Sequence, residues 1–380
     1  MRPVRPLLRR NVAVGAGLVS LASLVVAGCG SGSAEADSPA AAASFPTASA
    51  SSSVSPSVAP SGSADPSLTA TVPESPQAPG GAETSSSSAG DPAATTAPDG
   101  STTTPAPSGS ADAPAVKELP RGGTELFPRY RLVGYSGGAA KSFGRLGIGD
   151  LQARVDEIER LGKKYDGDGR EPLPVMELIA TVVQASPGQD KMHRARTGDA
   201  QIERYLKVAR RNKALLLLNI QPGRADFLTE VKAMSRWLEE PDVGLALDPE
   251  WAVGPKQTPG RVYGHTTAAE LNEVSLWLSR FTTERGLPEK ALVVHQLAPR
   301  IISDVDEMRE RTGVQVILSV DGIGARSDKE KTWRTLVKPL PDSVHTGFKL
   351  FFEEDREHGD LMTPAQVLKL KPRPEYVLYE

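Results

Sequence analysis

Short, nearly unbroken apolar runs alternate with amphipathic segments from about residue 123 to the end of the chain. Apolar runs of this kind suit parallel strands that are buried on both faces. The runs that predict strands are Arg131–Tyr135, Pro174–Thr181, Ala214–Ile220, Val243–Asp248, Ala291–Gln296, Val314–Val320, Thr346–Phe352 and Tyr376–Tyr379. Their regular spacing indicates one α/β domain.

The segments between the runs predict helices, because their apolar residues recur at helical spacing. These segments are marked by Leu151, Val155, Ile158 and Leu161, by a helix that begins near Asp199, by one that ends near Glu240, by Leu271, Val274, Trp277, Leu278 and Phe281, and by Ile301, Ile302, Val305 and Met308. Eight strands alternating with helices predict a (β/α)8 barrel of the TIM type. The last run ends beside Glu380, so we expect the eighth helix to be absent, or residues before Arg131 to cover its place.

The stretch Gly244–Trp251 carries the strongest chemical signal in the sequence. Its aliphatic start predicts a buried strand, and Pro249 should end that strand because proline has no N–H for the sheet. Asp248 and Glu250 are two residues apart, so in extended backbone they would project to the same side. We therefore expect two carboxyl groups at the carboxyl end of the fourth strand, where barrel enzymes keep their chemistry.

Polar or aromatic residues lie at or beside the ends of several other predicted strands. The residues that we expect to contact a substrate are Glu177, Tyr135, Trp251, His295, Gln296, Asp321 and Phe352. Because the carboxyl ends of all strands meet at one face of a barrel, these side chains should surround one polar pocket. Tyr135, Trp251 and Phe352 would form an aromatic platform for sugar rings within it.

Residues 1–29 have the pattern of a secretory signal peptide. Arginines precede an apolar segment, Val12–Ala27, which is too short and too rich in glycine for a good membrane span. The segment runs into Val-Val-Ala-Gly-Cys at residues 25–29, which resembles the lipobox of bacterial lipoproteins. We therefore expect Cys29 to carry a lipid that anchors the protein to the outer face of the cell membrane.

Residues 30–122 consist almost entirely of Ser, Ala, Pro, Thr and Gly with scattered acids. Such a composition cannot bury enough apolar surface to offset its chain entropy, so we expect a disordered linker. As a flexible coil it would reach on the order of 50 Å. It would hold a folded domain at residues 123–380 away from the membrane.

Charge and cysteine count narrow the possible partners and cofactors. The 380-residue chain has a formal net charge of -3, without the basic character typical of proteins that bind nucleic acid, so no nucleic-acid partner is expected. Cys29 is the only cysteine, so no disulfide can form within the chain. No two of the five histidines have the spacing of a ligand pair, and we expect neither a metal nor another cofactor.

The stretch Gly244–Trp251 resembles the fourth-strand signature of chitinase-like barrels, in which an Asp-x-Glu pair ends an apolar strand. It is similar to the corresponding pair of barrel-type muramidases as well. The resemblance implies that Glu250 is the catalytic acid and that Asp248 orients the substrate's own acetamide group as the nucleophile. The sequence departs from the chitinase pattern at Ala246, where chitinases have a further aspartate.

The whole segment 123–380 also resembles a family of secreted actinobacterial lipoproteins. Gln221–Phe227, Gly244–Trp251 and the strand end at Asp321 and Gly322 carry this second resemblance. No reaction is assigned to that family, so the resemblance implies an envelope location without indicating a function.

Three functions are compatible with these residues. The first is a glycoside hydrolase that acts on a cell-wall glycan, with Glu250 and Asp248 as its catalytic residues. The second is a glycan-binding or degenerate barrel without catalysis, since a fold does not fix a reaction. The third is a metal-dependent hydrolase with Asp248, Glu250, His295 and Asp321 as ligands. Barrel amidohydrolases, however, carry a His-x-His on the first strand, where this chain has Gly-Tyr-Ser at residues 134–136.

Overall fold

The computed structural model describes residues 117–138 and 143–380. The predicted signal peptide, Cys29 and most of the predicted linker lie outside these described residues. Within them, no helix combines the length and the apolar character needed to cross a membrane. Leu119 is already buried, so the folded region includes a few residues before position 123.

Eight parallel strands form a closed barrel, which confirms the predicted (β/α)8 fold. The strands are β1 (Tyr130–Gly137), β2 (Glu171–Val183), β3 (Leu215–Ile220), β4 (Val243–Leu247), β5 (Lys290–Gln296), β6 (Val314–Val320), β7 (His345–Leu350) and β8 (Tyr376–Tyr379). Each strand pairs with the next, and β1 closes the barrel by pairing with both β2 and β8. All eight strands coincide, to within a few residues, with the apolar runs that predicted them.

Helices surround the barrel and connect most of its strands. They are α1 (Leu151–Gly162), α2 (Asp199–Arg211), α3 (Phe227–Ala233), α4 (Ser235–Leu238), α5 (Ala268–Glu284), α6 (Arg326–Val337), α7 (Glu354–Glu357) and α8 (Pro364–Val367). Single 3₁₀ turns lie at Arg145–Gly147, Lys163–Tyr165, Pro249–Trp251, Pro299–Ile301 and Val305–Glu307, and short additional strands at Arg194–Arg196, Thr266–Thr267 and Ile302–Ser303. Polar side chains fix where the helices begin: Asp150 caps α1 and Thr267 caps α5 by accepting a backbone N–H of the first turn.

Alternate residues of each strand face inward and outward, which divides the apolar residues into two layers. The inner layer fills the barrel and includes Leu132, Leu173, Val175, Leu217, Ala246, Val293, Ile317 and Leu378. The outer layer lies between the strands and the helices and includes Val133, Met176, Leu218, Leu245, Val294, Leu318 and Val377. Burial on both faces explains why the strands appear in the sequence as continuous apolar runs.

The segment before β1 covers the amino end of the barrel. Leu119, Leu126 and Phe127 belong to the inner apolar layer. The backbone N–H of Leu126 donates to Glu289 Oε2, directly before β5, at 2.7 Å. These residues therefore form the floor of the barrel and do not take the place of an eighth helix.

Aromatic side chains occupy the outer face of the barrel where β8 meets β1. Tyr135, Phe352 and Tyr379 contact one another, with ring centroids 5.3, 5.7 and 6.3 Å apart. The hydroxyl groups of Tyr165 and Tyr379 lie 2.6 Å apart, within hydrogen-bond distance. These rings therefore lie together on the outer face of the seam between β8 and β1.

The predicted helix after the fifth strand is wrong. Ile302–Ser303 forms a short strand that pairs with Thr266–Thr267, and 3₁₀ turns flank it. Asp304 has a left-handed backbone conformation, with a φ of 56°, which a continuous right-handed helix does not contain. Ile301 and Val305 are nevertheless buried in the outer apolar layer, which explains why their spacing resembled that of a helix.

Candidate active site

A layer of polar side chains lies at the carboxyl end of the barrel, above the inner apolar layer. It consists of Ser136, Glu177, Asn219, Asp248, His295, Asp321 and Lys349, with Tyr376 reaching it from β8. These positions face inward because each lies an even number of residues from an inward-facing position of its own strand. The barrel thus brings groups that are distant in sequence into one cluster, which we call the polar layer.

Glu177 lies at the centre of the polar layer and is fully buried. Its Oε1 accepts hydrogen bonds from Asn219 Nδ2 and His295 Nε2, both at 3.1 Å, and its Oε2 accepts one from Tyr376 Oη at 2.7 Å. Burial alone would raise the pKa of this carboxyl group, but the positive charges of His295 and Lys349 lower it overall. Glu177 is therefore ionised, and both of its oxygens are engaged.

His295 bridges two acids of the polar layer. Its Nδ1 lies 2.8 Å from Asp321 Oδ2, and its Nε2 lies 3.1 Å from Glu177 Oε1. Burial would lower the pKa of the imidazole, but the negative charges of Asp321, Glu177 and Asp248 raise it well above its usual value. The protonated ring donates through both nitrogens, so one side chain satisfies two buried carboxylates.

Asp321 is held by three donors. Besides the contact with His295, Ser319 Oγ donates to Oδ1 at 2.8 Å and Lys349 Nζ lies 3.3 Å from Oδ2. Burial would raise the pKa of Asp321, but the positive charges of His295 and Lys349 lower it to about 2. Lys349 also forms an ion pair with Glu380 at 2.6 Å, which helps to keep this buried lysine charged.

Asp248 occupies one side of the polar layer, directly after β4. Asn219 Nδ2 donates to Oδ1 at 3.0 Å, and Gln221 Nε2 donates to Oδ2 at 3.2 Å. Burial raises the pKa of Asp248 and the charge of Glu177 adds to this, while the charge of His295 opposes both. Asn219 therefore donates to acids on both neighbouring strands and holds them apart.

Glu250 lies in a 3₁₀ turn and not in extended backbone. β4 ends at Leu247, and the turn Pro249–Trp251 begins where proline removes the N–H that a sheet would need. The expectation that extended backbone places Glu250 beside Asp248 is therefore wrong. The two acids are nevertheless close enough for the charge of Asp248 to act on Glu250.

The carboxyl group of Glu250 is the one most disposed to hold a proton. Its Oε2 is buried and has no hydrogen-bond partner within the described part of the chain. Burial raises the pKa of Glu250 well above its ordinary value, and the negative charges of Asp248 and Asp321 raise it further. A protonated carboxyl group with an unengaged oxygen is suited to general acid catalysis.

Four of the residues predicted to contact a substrate lie outside the polar layer. Tyr135 and Phe352 belong to the aromatic cluster on the outer face of the barrel. Gln296 follows the inward-facing His295 and so is directed toward the helices. Trp251 is partly buried and shares the 3₁₀ turn of Glu250. The structure thus brings together the predicted acids and His295, but not the three predicted aromatic residues.

Asn219, Lys349 and Tyr376 are members of the polar layer that are not among the residues predicted to contact a substrate. Asn219 leaves a signal, because it is the one polar residue of an otherwise apolar strand, and Lys349 leaves a weaker one as a lysine between Phe348 and Leu350. Tyr376 leaves none, since tyrosine is a common strand residue and only the closed barrel brings its hydroxyl group to Glu177.

A metal-dependent hydrolase would need Asp248, Glu250, His295 and Asp321 as ligands. Among the described residues, no group of three or more His, Cys, Asp or Glu side chains is arranged to hold a metal ion. Both ring nitrogens of His295 face carboxylate oxygens, so the ring has no lone pair directed into the site.

No family model matches the chain, and no curated protein matches it in sequence. Among solved structures, the chain aligns with one described as a hyperthermophilic endo-beta-1,4-glucanase in complex with substrate, at 8% sequence identity and a TM-score of 0.37. The alignment covers 66% of this chain and 88% of that chain. A similarity this distant carries no information about the reaction, and the barrel fold rests on the strand pairing itself.

Proposed function

We propose that the barrel is a glycoside hydrolase that acts on a glycan of the cell wall, with Glu250 as the acid that protonates the leaving oxygen. The observation that carries this proposal is the buried, unpartnered Oε2 of Glu250, whose pKa is raised well above its ordinary value. Cleavage of a glycosidic bond needs an acid that still holds its proton when the substrate binds. Glu250 meets that need at the carboxyl end of β4, on the face where barrel enzymes act.

The other acids favour a mechanism in which the substrate supplies the nucleophile. Glu177 and Asp321 are each held by several donors, so attack on a sugar by either carboxylate would break those hydrogen bonds. Asp248 accepts only one hydrogen bond at each oxygen, which leaves it free to orient a substrate N–H. An acetamide group oriented by Asp248 would act as the internal nucleophile, and this favours an N-acetylated glycan as substrate.

Glu250→Gln tests the proposed acid, because glutamine keeps the shape of the side chain but cannot transfer the proton. We expect cleavage to fall by about 10²-fold or more while the glycan still binds. Release of reducing ends from peptidoglycan, chitin oligomers and arabinogalactan measures cleavage, and co-sedimentation with the polymers measures binding. Glu203→Gln, on the exposed face of α2, is the matched control and should cleave at the wild-type rate.

A glycan-binding barrel without hydrolase activity is the second candidate. Glu177 and Asp321 accept hydrogen bonds from neighbouring side chains. Buried acids with a purely structural role are also hydrogen-bonded, so this observation favours the second candidate. In that case the wild-type protein binds glycan without releasing reducing ends, and Trp251→Ala weakens binding more than Glu250→Gln does. This pattern with all three polymers would remove the hydrolase assignment.

The proposed setting is the outer face of the cell membrane, with a lipid on Cys29. Its support is the signal-like segment, the lipobox-like residues 25–29 and the Ser/Ala/Pro-rich composition of residues 30–122. A wall glycan is the polymer within reach of a domain anchored in this way.

A further inference from the structure

Exposed apolar side chains are concentrated on the loops at the carboxyl end of the barrel. Across the described residues, four large hydrophobic side chains are exposed, namely Val262, Tyr263, Leu276 and Ile323. Three of the four lie on the loops that follow β4 and β6, and Tyr263 is the most exposed at 52%. An exposed aromatic ring is a feature that sugar rings and other flat apolar surfaces recognise.

Tyr263 is held next to the turn that carries Glu250. The backbone N–H of Gly264 donates to the carbonyl oxygen of Glu250 at 2.7 Å, and that of His265 donates to the carbonyl oxygen of Ala252 at 3.0 Å. A side chain at position 264 would meet the carbonyl oxygen of Ala252 at 2.2 Å, so only glycine permits this close approach. The backbone of Tyr263 is thereby held within one residue of the contact to Glu250.

An arginine side chain lies over this ring. The guanidinium carbon of Arg300, on the loop after β5, lies 5.2 Å from the ring centroid of Tyr263. Arg300 is exposed, and it makes neither a hydrogen bond nor an ion pair within the part of the chain that the structure describes. The loop at residues 252–265 contributes Lys256 and Arg261 and contains no Asp or Glu. We call Arg261, Val262, Tyr263 and Arg300 the rim patch.

The rim patch carries unpaired positive charge, whereas the polar layer does not. In the polar layer the positive charges of His295 and Lys349 are already committed to buried acids. At the rim patch the guanidinium of Arg300 is stacked on an aromatic ring, and its N–H donors are free to meet a planar anion. An anionic group on a ligand would be repelled by Asp248 and attracted by Arg300, which sets the direction in which the ligand lies.

We propose that the rim patch is a subsite for a sugar ring that carries an anionic substituent, either a carboxylate or a phosphate. Tyr263 contacts the apolar face of that sugar, Arg300 binds the anion, and a neighbouring neutral sugar lies over Glu250. This inference rests on the proposed function, since it names the substrate class of the same site. The proposed subsite requires the negatively charged sugar of the glycan to lie beside the loops that follow β4 and β5.

Binding is measured on the full chain carrying Glu250→Gln, so that no ligand is consumed. The probes are three oligosaccharides of equal length: a neutral N-acetylated oligomer, one with carboxylate groups and one with phosphate groups. We expect at least one anionic oligomer to bind more tightly than the neutral one, with a preference that shrinks as salt is added. The two anionic probes show which substituent the subsite takes.

Single substitutions test whether the rim patch causes the preference for an anionic oligomer. Arg300→Gln should weaken binding of the preferred anionic oligomer by about tenfold and leave the neutral oligomer unchanged. Arg204→Gln, an exposed arginine on α2, changes the net charge equally and should have no effect. Tyr263→Ala should weaken binding of all three oligomers. The inference is overturned if the neutral oligomer binds as tightly as both anionic ones, or if Arg300→Gln and Arg204→Gln behave alike.

A cleavage assay with the wild-type protein shows whether the rim patch proposal or the hydrolase proposal is wrong. If reducing ends are released but binding shows no dependence on ligand charge, the rim patch assignment is wrong and the hydrolase assignment stands. If binding depends on charge and on Arg300 but no polymer is cleaved, the subsite is supported and the hydrolase assignment falls.

Discussion

At the scale of single residues, the chemistry of the site depends on where one proton resides. Burial raises the pKa of both Asp248 and Glu250, and the shift is the larger at Glu250. His295 and Lys349 supply the positive charge that keeps Glu177 and the other deep acids ionised. The negative charge of the layer beside Glu250 therefore favours a proton on Glu250, while Glu177 and Asp321 stay ionised.

If the proposed hydrolysis takes place, its dependence on pH follows from this arrangement. The proposed reaction needs protonated Glu250, so the rate should fall as the pH rises through the raised pKa of that residue. Asp248→Asn removes a negative charge nearby, which should lower the pKa of Glu250 and move this alkaline limb to lower pH. The measurement is kcat/KM for a soluble oligomer as a function of pH. Glu203→Gln should leave the alkaline limb of the pH profile unchanged. If the limb does not move in Asp248→Asn either, the charge of Asp248 does not raise the pKa of Glu250.

At the scale of elements, a buried ion pair ties helix α6 to the loop after β7. Lys329 Nζ lies 2.9 Å from Asp355 Oδ2 and donates to the carbonyl oxygen of Lys349 at 3.0 Å. Asp355 also accepts the backbone N–H groups of Gly324, at 3.1 Å, and Phe351, at 3.0 Å. One ion pair thus fixes the loops after β6 and β7, which flank the polar layer.

Replacement of Lys329 should lower the stability of the folded protein. Lys329→Met leaves Asp355 buried without its cation, and we expect the free energy of unfolding to fall by about 3–5 kcal/mol. Lys207→Met is the matched control, because it breaks an exposed pair with Glu203 on α2 and should cost less than about 1 kcal/mol. Denaturant-induced unfolding measures both values. Equal, small losses in the two variants would show that the buried pair does not hold the loops.

The elements also show how far a sequence pattern can predict this structure. The strands were predictable because each is a continuous apolar run, but the same continuity hides which residues face inward. For this reason Tyr135 and Phe352 were expected in the pocket although they lie on the outer face. The helix expected around Ile301 and Val305 failed because the left-handed conformation of Asp304 is a local backbone state that apolar spacing does not reveal.

At the scale of the whole molecule, the barrel and the carboxyl-end location of the acids were predictable from the order of the elements. The connections within the polar layer were not, because they join residues from separate strands. Glu177 was predicted as a pocket residue, but its hydrogen bonds with His295 and Tyr376 depend on the closure of the sheet. Barrel geometry, and not local sequence, decides these partners.

The predicted anchor is tested on the whole protein in its native cell. If Cys29 carries a lipid, Cys29→Ser should move the protein from the membrane fraction to the medium, because no other acylation site is present in that segment. Immunoblots of both fractions measure the distribution. Ser31→Ala, two residues further on, is the control and should remain with the membrane. Retention of the Cys29→Ser protein in the membrane fraction would contradict the anchor.

The polar layer also has a consequence for how the protein folds. Glu177 bonds to His295, 118 residues further along the chain, and to Tyr376, 199 residues further along. Contacts over such separations form slowly, because the loops between them must close before any contact is gained. Local helices can form early, but Glu177 acquires its contact with Tyr376 only when β8 joins the sheet. The hydrogen bond between Tyr376 and Glu177 therefore marks the closure of the barrel.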